Sequence, residues 1–168
     1  GTHTLAAWYA TGDFTSFDTN SWVGFPPGLG AIPTRSGSWS AMYIGEQRLW
    51  QDPCNEKRYT NLLGYLDFAD SDTNPFQVTA GGSIESFVLF AARPGDRMGI
   101  AGFYNGLGDL SDLLSVISPA GDVYGGEFYY NAEINPWFHV TFDLQAVNPS
   151  LKSRDTAIEA GLRAKLDY

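Results

Sequence analysis

A chain of 168 residues makes one domain or part of one. Its 10 Lys and Arg against 19 Asp and Glu give a net charge of -9, which leaves no excess of cations to neutralise nucleic-acid phosphates. Charged residues are only 17% of the chain while it holds 19 Gly, 11 Phe, 9 Tyr and 5 Trp, a balance unsuited to disorder and unusual for a helical enzyme. The longest apolar runs, such as residues 87–92, fall far short of the ~20 residues of a transmembrane helix, which leaves a transmembrane β-barrel open. Cys54 stands alone, so neither an intrachain disulfide nor a Cys/His zinc grouping is available. Residues 1–12 carry no basic or long apolar leader, so any signal peptide was removed or lies outside this numbering.

Residues 3–12, 39–50 and 60–69 read as strands. Residues 78–91 place Val78, Ala80, Ile84, Val88 and Phe90 on one face, and the turn Arg93, Pro94, Gly95, Asp96 leads into a strand over 97–104. In residues 122–134, Phe128, Tyr130, Ala132 and Ile134 alternate with Glu127, Tyr129, Asn131 and Glu133. Past Asn135 and Pro136, Phe138, Val140, Phe142, Leu144 and Ala146 alternate with His139, Thr141, Asp143 and Gln145, which predicts a hairpin with one apolar and one polar face. At the end, Ile158, Ala160, Leu162, Ala164, Leu166 and Tyr168 separate from Glu159, Gly161, Arg163, Lys165 and Asp167, as a strand requires and a helix does not.

These are eight strands. Their connections run over 13–38, 51–59, 70–77, 92–96, 105–121, 135–136 and 148–154, with the odd-numbered ones generally longer. Outer-membrane barrels alternate short periplasmic turns with long external loops, and a last strand ending at the periplasm puts every odd connection outside. Only the second, about as long as the third, strains that parity. In the fifth, residues 108–114 have a cap-like start for a short helix.

Aromatics gather at strand ends (Trp39, Trp50, Tyr59, Tyr104, Tyr124, Trp137, Tyr168), as interfacial girdles require, and the strand count is even. The same rings would also fill the core of a soluble eight-stranded β-barrel that binds a small ligand. Periodicity leaves both open, together with a small plugged outer-membrane barrel of structural or adhesive role.

The wording of the sequence is more specific. Residues 129–149, from Tyr129 and Tyr130 through Trp137, Phe138 and His139 to Asn148 and Pro149, followed by 155–157 and 161–166, resemble the C-terminal region of the carbohydrate-selective (OprB-like) porins. Residues 7–12, with Trp8 and Tyr9, 43–50, with Glu46, Gln47 and Arg48, and 93–100, with Pro94, Gly95 and Asp96, resemble further parts of that family in the same order. The resemblance implies an all-β, antiparallel transmembrane β-barrel of about 16 strands, located in the bacterial cell outer membrane of a Gram-negative species. It implies passive diffusion of sugars, with no cofactor and no catalysis; the net charge already speaks against a nucleic-acid partner. At ~9 to 11 residues per spanning strand, about eight strands use up this chain, which makes it one domain or half-barrel segment over 1–168, the C-terminal half of such a porin. Its partners are then outer-membrane lipid, the transported sugars, the remaining half of the barrel and, if it oligomerises, further copies. The alternative, closure of eight strands on themselves, would fill the interior with side chains.

In such a pore the polar faces supply the lining. The candidates are Glu46, Arg48, Glu85, Glu127, Tyr129, Asn131, Glu133, His139, Asp143, Gln145, Arg163 and Lys165, with Arg163 and Lys165 opposite carboxylates of neighbouring strands. The plainer reading of each is a cross-strand pair that holds the wall together. Sharper chemistry fares worse. Glu127 and Asp143 offer a glycosidase-like pair whose separation sequence does not fix, and His3 or His139 lacks the strained Gly-x-Ser-x-Gly turn of a serine nucleophile. Residues 24–30 have neither the lysine nor the helix of a phosphate loop. Asp18, Asp70, Asp72, Asp109 and Asp112 would suit calcium at the outer surface but are more often solvated loop acids. With Asp13 and Asp122 they predict a negative vestibule that discourages anions and leaves neutral sugars unaffected.

Overall fold

The computed structural model describes residues 1–21, 33–87, 90–108 and 119–167. The strands are β1 (Thr2–Thr15), β2 (Thr34–Asp52), β3 (Asn55–Ala69), β4 (Val78–Phe87), β5 (Arg97–Gly106), β6 (Val123–Asn135), β7 (Phe138–Asn148) and β8 (Ala157–Leu166), with one 3-10 turn at Thr19–Ser21. They form a single sheet in the order β1 to β8, each antiparallel to the next. Among the described residues β1 and β8 do not pair, so the eight strands do not close into a small barrel by themselves. The expectations for residues 24–30, for Asp109, Asp112 and the helix near them, for Val88 and for Tyr168 lie wholly or mainly outside the described residues.

The sheet has almost no conventional core. The buried apolar residues among those described, Ala69, Leu107 and Ala120, all sit at the long-loop end. Leu62, Leu66, Ile84, Ile100, Leu144 and Leu162 stand exposed on one face, Leu162 at 78%. A water-facing sheet does not keep so large an apolar surface, whereas one against hydrocarbon does.

Several boundaries move. The second connection is not 51–59 but the two residues Pro53 and Cys54, because β2 and β3 continue as a polar ladder through Gln51 and Tyr59. Asp52 closes that turn, accepting from the Cys54 amide at 2.8 Å and from Arg58 Nη1 at 3.2 Å. The strained parity is thereby removed at this position. Among the described residues β4 runs to Phe87, and Phe90 bridges to Arg93 ahead of β5. Asp13 belongs to β1 rather than to a loop, since that strand runs on to Thr15. Tyr59 leaves the proposed outer girdle, for it shares its face with Gln51 and Phe87 and stacks on the Phe87 ring at 4.3 Å.

Asp96 fixes the fourth turn. It is 1% exposed and accepts from Arg93 Nη2 at 3.0 Å, from Arg93 Nε, from the Tyr130 hydroxyl and from the Glu133 amide at 2.9 Å. Its carboxylate thus takes the Glu133 N–H beyond Asn131, the residue that pairs with the first residue of β5. Burial alone would raise the Asp96 pKa, but the bonds from Arg93, Tyr130 and Glu133 outweigh it and hold the carboxyl below its ordinary value. Such a group stabilises the fold above the ordinary carboxylate pKa of about 4 and loses its contribution as pH falls through the lowered value. Asp96→Asn should cost about 2 kcal/mol at neutral pH. It should also flatten the acid side of the stability profile, read as urea midpoints between neutral pH and pH ~3; equal acid-side slopes in the two proteins would count against this role.

Candidate pore-lining face

Side chains alternate across a strand, so residues paired in an unbroken antiparallel register share a face. One such row runs from Arg48 through Asn61, Glu85, Gly99, Tyr129 and Asp143 to Gly161. The next toward the long loops holds Glu46, Leu63, Ser83, Ala101, Glu127, Gln145 and Glu159. Toward the turns, Arg97 pairs with Asn131, Asn131 with Thr141 and Thr141 with Arg163, and beyond them Glu133, His139 and Lys165 line up. All twelve sequence candidates therefore lie on one face, opposite Leu62, Leu66, Ile84, Ile100, Leu144 and Leu162.

Seven of them surround one hollow of about 400 Å³: Glu85, Glu127, Tyr129, Asn131, His139, Arg163 and Lys165, joined by Arg97, Thr141 and Asp167. Glu46 and Arg48 stand apart on β2, and Glu133, Asp143 and Gln145 lie on the same face outside this lining. Tyr129 reaches across Gly99 to donate its hydroxyl to Glu85. It can do so only because Gly99 is bare, since a Cβ there would come within 2.6 Å of the tyrosine ring. Asn131 donates to Thr141 Oγ1 at 2.7 Å and Asn61 to Glu46 Oε1 at 2.8 Å.

The cations are arranged differently from expectation in one case. Arg163 does face a neighbouring carboxylate, Asp143, at 3.8 Å. Lys165 instead pairs with Asp167 on its own chain segment at 2.6 Å, and His139 meets the same carboxylate at 3.5 Å. Arg163 and Lys165 keep 70% and 69% of their side chains exposed, and Arg48 lies over the Tyr59 ring at 4.1 Å. The face thus presents donors and acceptors of both signs in an open wall. Such groups exchange hydrogen bonds with hydroxyls without holding them tightly.

The acids at the rim have protein partners. Asp70 lies 3.6 Å from Arg35, which also contacts Asp72, and Asp122 accepts from the Tyr104 hydroxyl at 2.6 Å. Among the described residues no group of three or more His, Cys, Asp or Glu is placed to hold a metal ion.

The family model of the carbohydrate-selective porins, OprB family, matches residues 1–168. The chain belongs to that family. The high-pH structure of OprB from Pseudomonas putida aligns with a TM-score of 0.85 at 20% identity, over 98% of this chain and 44% of that one. At that identity the likeness speaks for the fold, and the OprB-family chain described here spans less than half of its structural relative. No curated protein matches it.

Sequence reasoning missed Arg97, although Met98 and Ile100 alternate with it and place it inward. It also missed the apolar residues of this face, Leu63, Tyr65, Phe103 and Val147, which read like lipid-facing ones until a partner strand fixes their side. The glycine beneath Tyr129 gives a test. Gly99→Ala should evict the ring and break its bond to Glu85 at a cost of about 2 kcal/mol. Gly102→Ala, whose Cβ would meet nothing nearer than 3.6 Å, should stay within ~0.5 kcal/mol of the parent in urea midpoints of the folded barrel.

Proposed function

We propose that this chain is one wall of an outer-membrane porin through which sugars and other small neutral solutes pass by passive diffusion, with no chemical step. The observation that carries the reading is the register: seven successive pairings put every polar candidate on one side and Leu62, Leu66, Ile84, Ile100, Leu144 and Leu162, all exposed, on the other. Water and hydrocarbon on opposite sides of one sheet are the conditions of a barrel wall in a bilayer. Membership of a carbohydrate-selective porin family supports sugars as the solute and the Gram-negative outer membrane as the location.

The twelve polar residues would line the lumen, with the mixed signs of Arg163, Lys165, Glu127 and Asp143 leaving neutral solutes favoured over either ion. The strands that flank β1 and β8 come, in this reading, from the rest of a larger barrel, which fits the 44% coverage of the Pseudomonas putida protein. Contacts between copies, if the porin oligomerises, would use the outward apolar face.

The test is to purify the complete native protein in detergent, reconstitute it into liposomes and follow swelling with neutral mono- and disaccharides of increasing size. Sugar entry that slows with size is expected; insertion without permeation would mean a plugged barrel and overturn the reading. Charge reversal adds a second readout. Arg163→Glu with Lys165→Glu should move the reversal potential toward cation preference, and an unchanged potential would remove both residues from the lumen.

A further inference from the structure

Beside the charged rows of the inward face runs one that carries no charge. Ile44, Tyr65, Gly81, Phe103, Gly125 and Val147 pair in succession across β2 to β7. The two rings do not simply project from this row. Tyr65 occupies the space above Gly81, where a Cβ would come within 2.6 Å of it, and Phe103 does the same above Gly125, within 2.8 Å. A ring carbon that close to a Cβ position lies at the surface of the sheet, so both rings are laid along the wall and leave the passage open.

Beside them is a hollow of about 230 Å³ whose floor includes Leu63, Tyr65, Phe103 and Val147. Glu127 and Gln145, directly opposite each other on β6 and β7, stand at its edge with Ser83. An apolar floor with a few polar groups at one side suits a ligand whose own surface is divided in the same way. A pyranose is such a ligand: its ring C–H bonds form an apolar face that meets the electron-rich face of an aromatic ring, and its hydroxyls project at the rim.

We infer that Tyr65 and Phe103 form a stacking subsite for a pyranose ring, with Glu127 and Gln145 taking its hydroxyls. The inference rests on the porin reading and adds to it a preference for cyclic sugars over open-chain polyols of similar size. Tyr65 and Phe103 are two strands apart, about 10 Å along the sheet. Barrel strands tilt by roughly 35–45°, so a row perpendicular to them climbs obliquely through the wall. A solute moving along the lumen would therefore meet the two rings in turn, at different depths.

The experiment uses the complete porin in a planar bilayer, with single-channel current recorded as glucose or an acyclic hexitol is added. Glucose should reduce the current saturably, and the hexitol should do so much more weakly. Phe103→Ala and Tyr65→Ala should each raise the half-saturating glucose concentration about fivefold, whereas Leu62→Ala, on the opposite face of β3, should leave it at the parent value. If Phe103→Ala fails to assemble, as judged by heat-modifiable mobility in detergent, Phe103→Leu keeps the apolar volume and should show the same shift. A channel that passes sugars but responds equally to glucose and hexitol, or whose half-saturation is untouched by the ring substitutions, overturns the subsite and leaves the porin reading standing. A native protein that passes neither ions nor sugars defeats both.

Discussion

A backbone that crosses hydrocarbon has no water to bond to, so each N–H and C=O must find its partner in the next strand. The consequences of that constraint organise this chain. It explains why the ladder from β1 to β8 follows sequence order, with each strand bonded to its neighbour and no crossover. Once the ladder is continuous the faces are fixed, because a slip of one residue would send every side chain to the other side. Glu46 on β2 and Lys165 on β8 lie six strands apart, yet their side is decided by the same chain of pairings. The constraint also bears on β1 and β8, whose outer edges pair with no other strand among the described residues; in the proposed barrel they are the seams at which further strands join.

Within the ladder, glycine divides into two roles. Gly81, Gly99 and Gly125 face inward and lie beneath Tyr65, Tyr129 and Phe103, and Gly161 lies beneath Asp143. Each bare position lets a neighbour's side chain lie down across it, which covers the strand and determines where that side chain ends. On the outward side Gly45, Gly64, Gly82, Gly102 and Gly126 fall into one row across β2 to β6. Glycines are a recognised means of introducing curvature into a sheet that must bend toward closure, and a row of them places that freedom along a line rather than at scattered points.

Much of this was legible in the sequence, for a physical reason. Where a strand separates water from lipid its residues must alternate, and the alternation of β6, β7 and β8 therefore displayed both strand and face. The arms of β2 and β3 around Gln51 and Arg58 look like loop in the sequence because a ladder that does not divide two solvents needs no alternation, and their backbone bonds leave no trace in composition. An aromatic at a strand end, such as Tyr59, has the same appearance on either face in the sequence; its pairing with Phe87 decides the matter. The twelve polar candidates share the face the alternation suggested. The apolar floor of that face was hidden, since inward Leu63, Tyr65, Phe103 and Val147 break the rule by which faces were assigned.

The partition of charge between rim and wall follows from what each must do. At the rim the charges are drawn into local structure: Asp96 is enclosed by Arg93, Tyr130 and Glu133, Asp52 closes its turn with Arg58, and Arg35 joins Asp70 and Asp72. These bonds hold turns in place, and a carboxylate so engaged has little capacity left for a passing solute. On the inward wall Arg163 lies 3.8 Å from Asp143 and His139 3.5 Å from Asp167, while Lys165 pairs closely with that second carboxylate at 2.6 Å. The exposed side chains of Arg163 and Lys165 keep N–H bonds available to hydroxyls, and their open surroundings keep each exchange worth little. A wall whose polar groups were paired as tightly as Asp96 would be inert toward sugars, and one whose charges stood unpaired in a dry cleft would hold them too long. In the proposed pore, the intermediate state, many weak partners beside a strip of apolar surface, is the one that would permit both preference and flow.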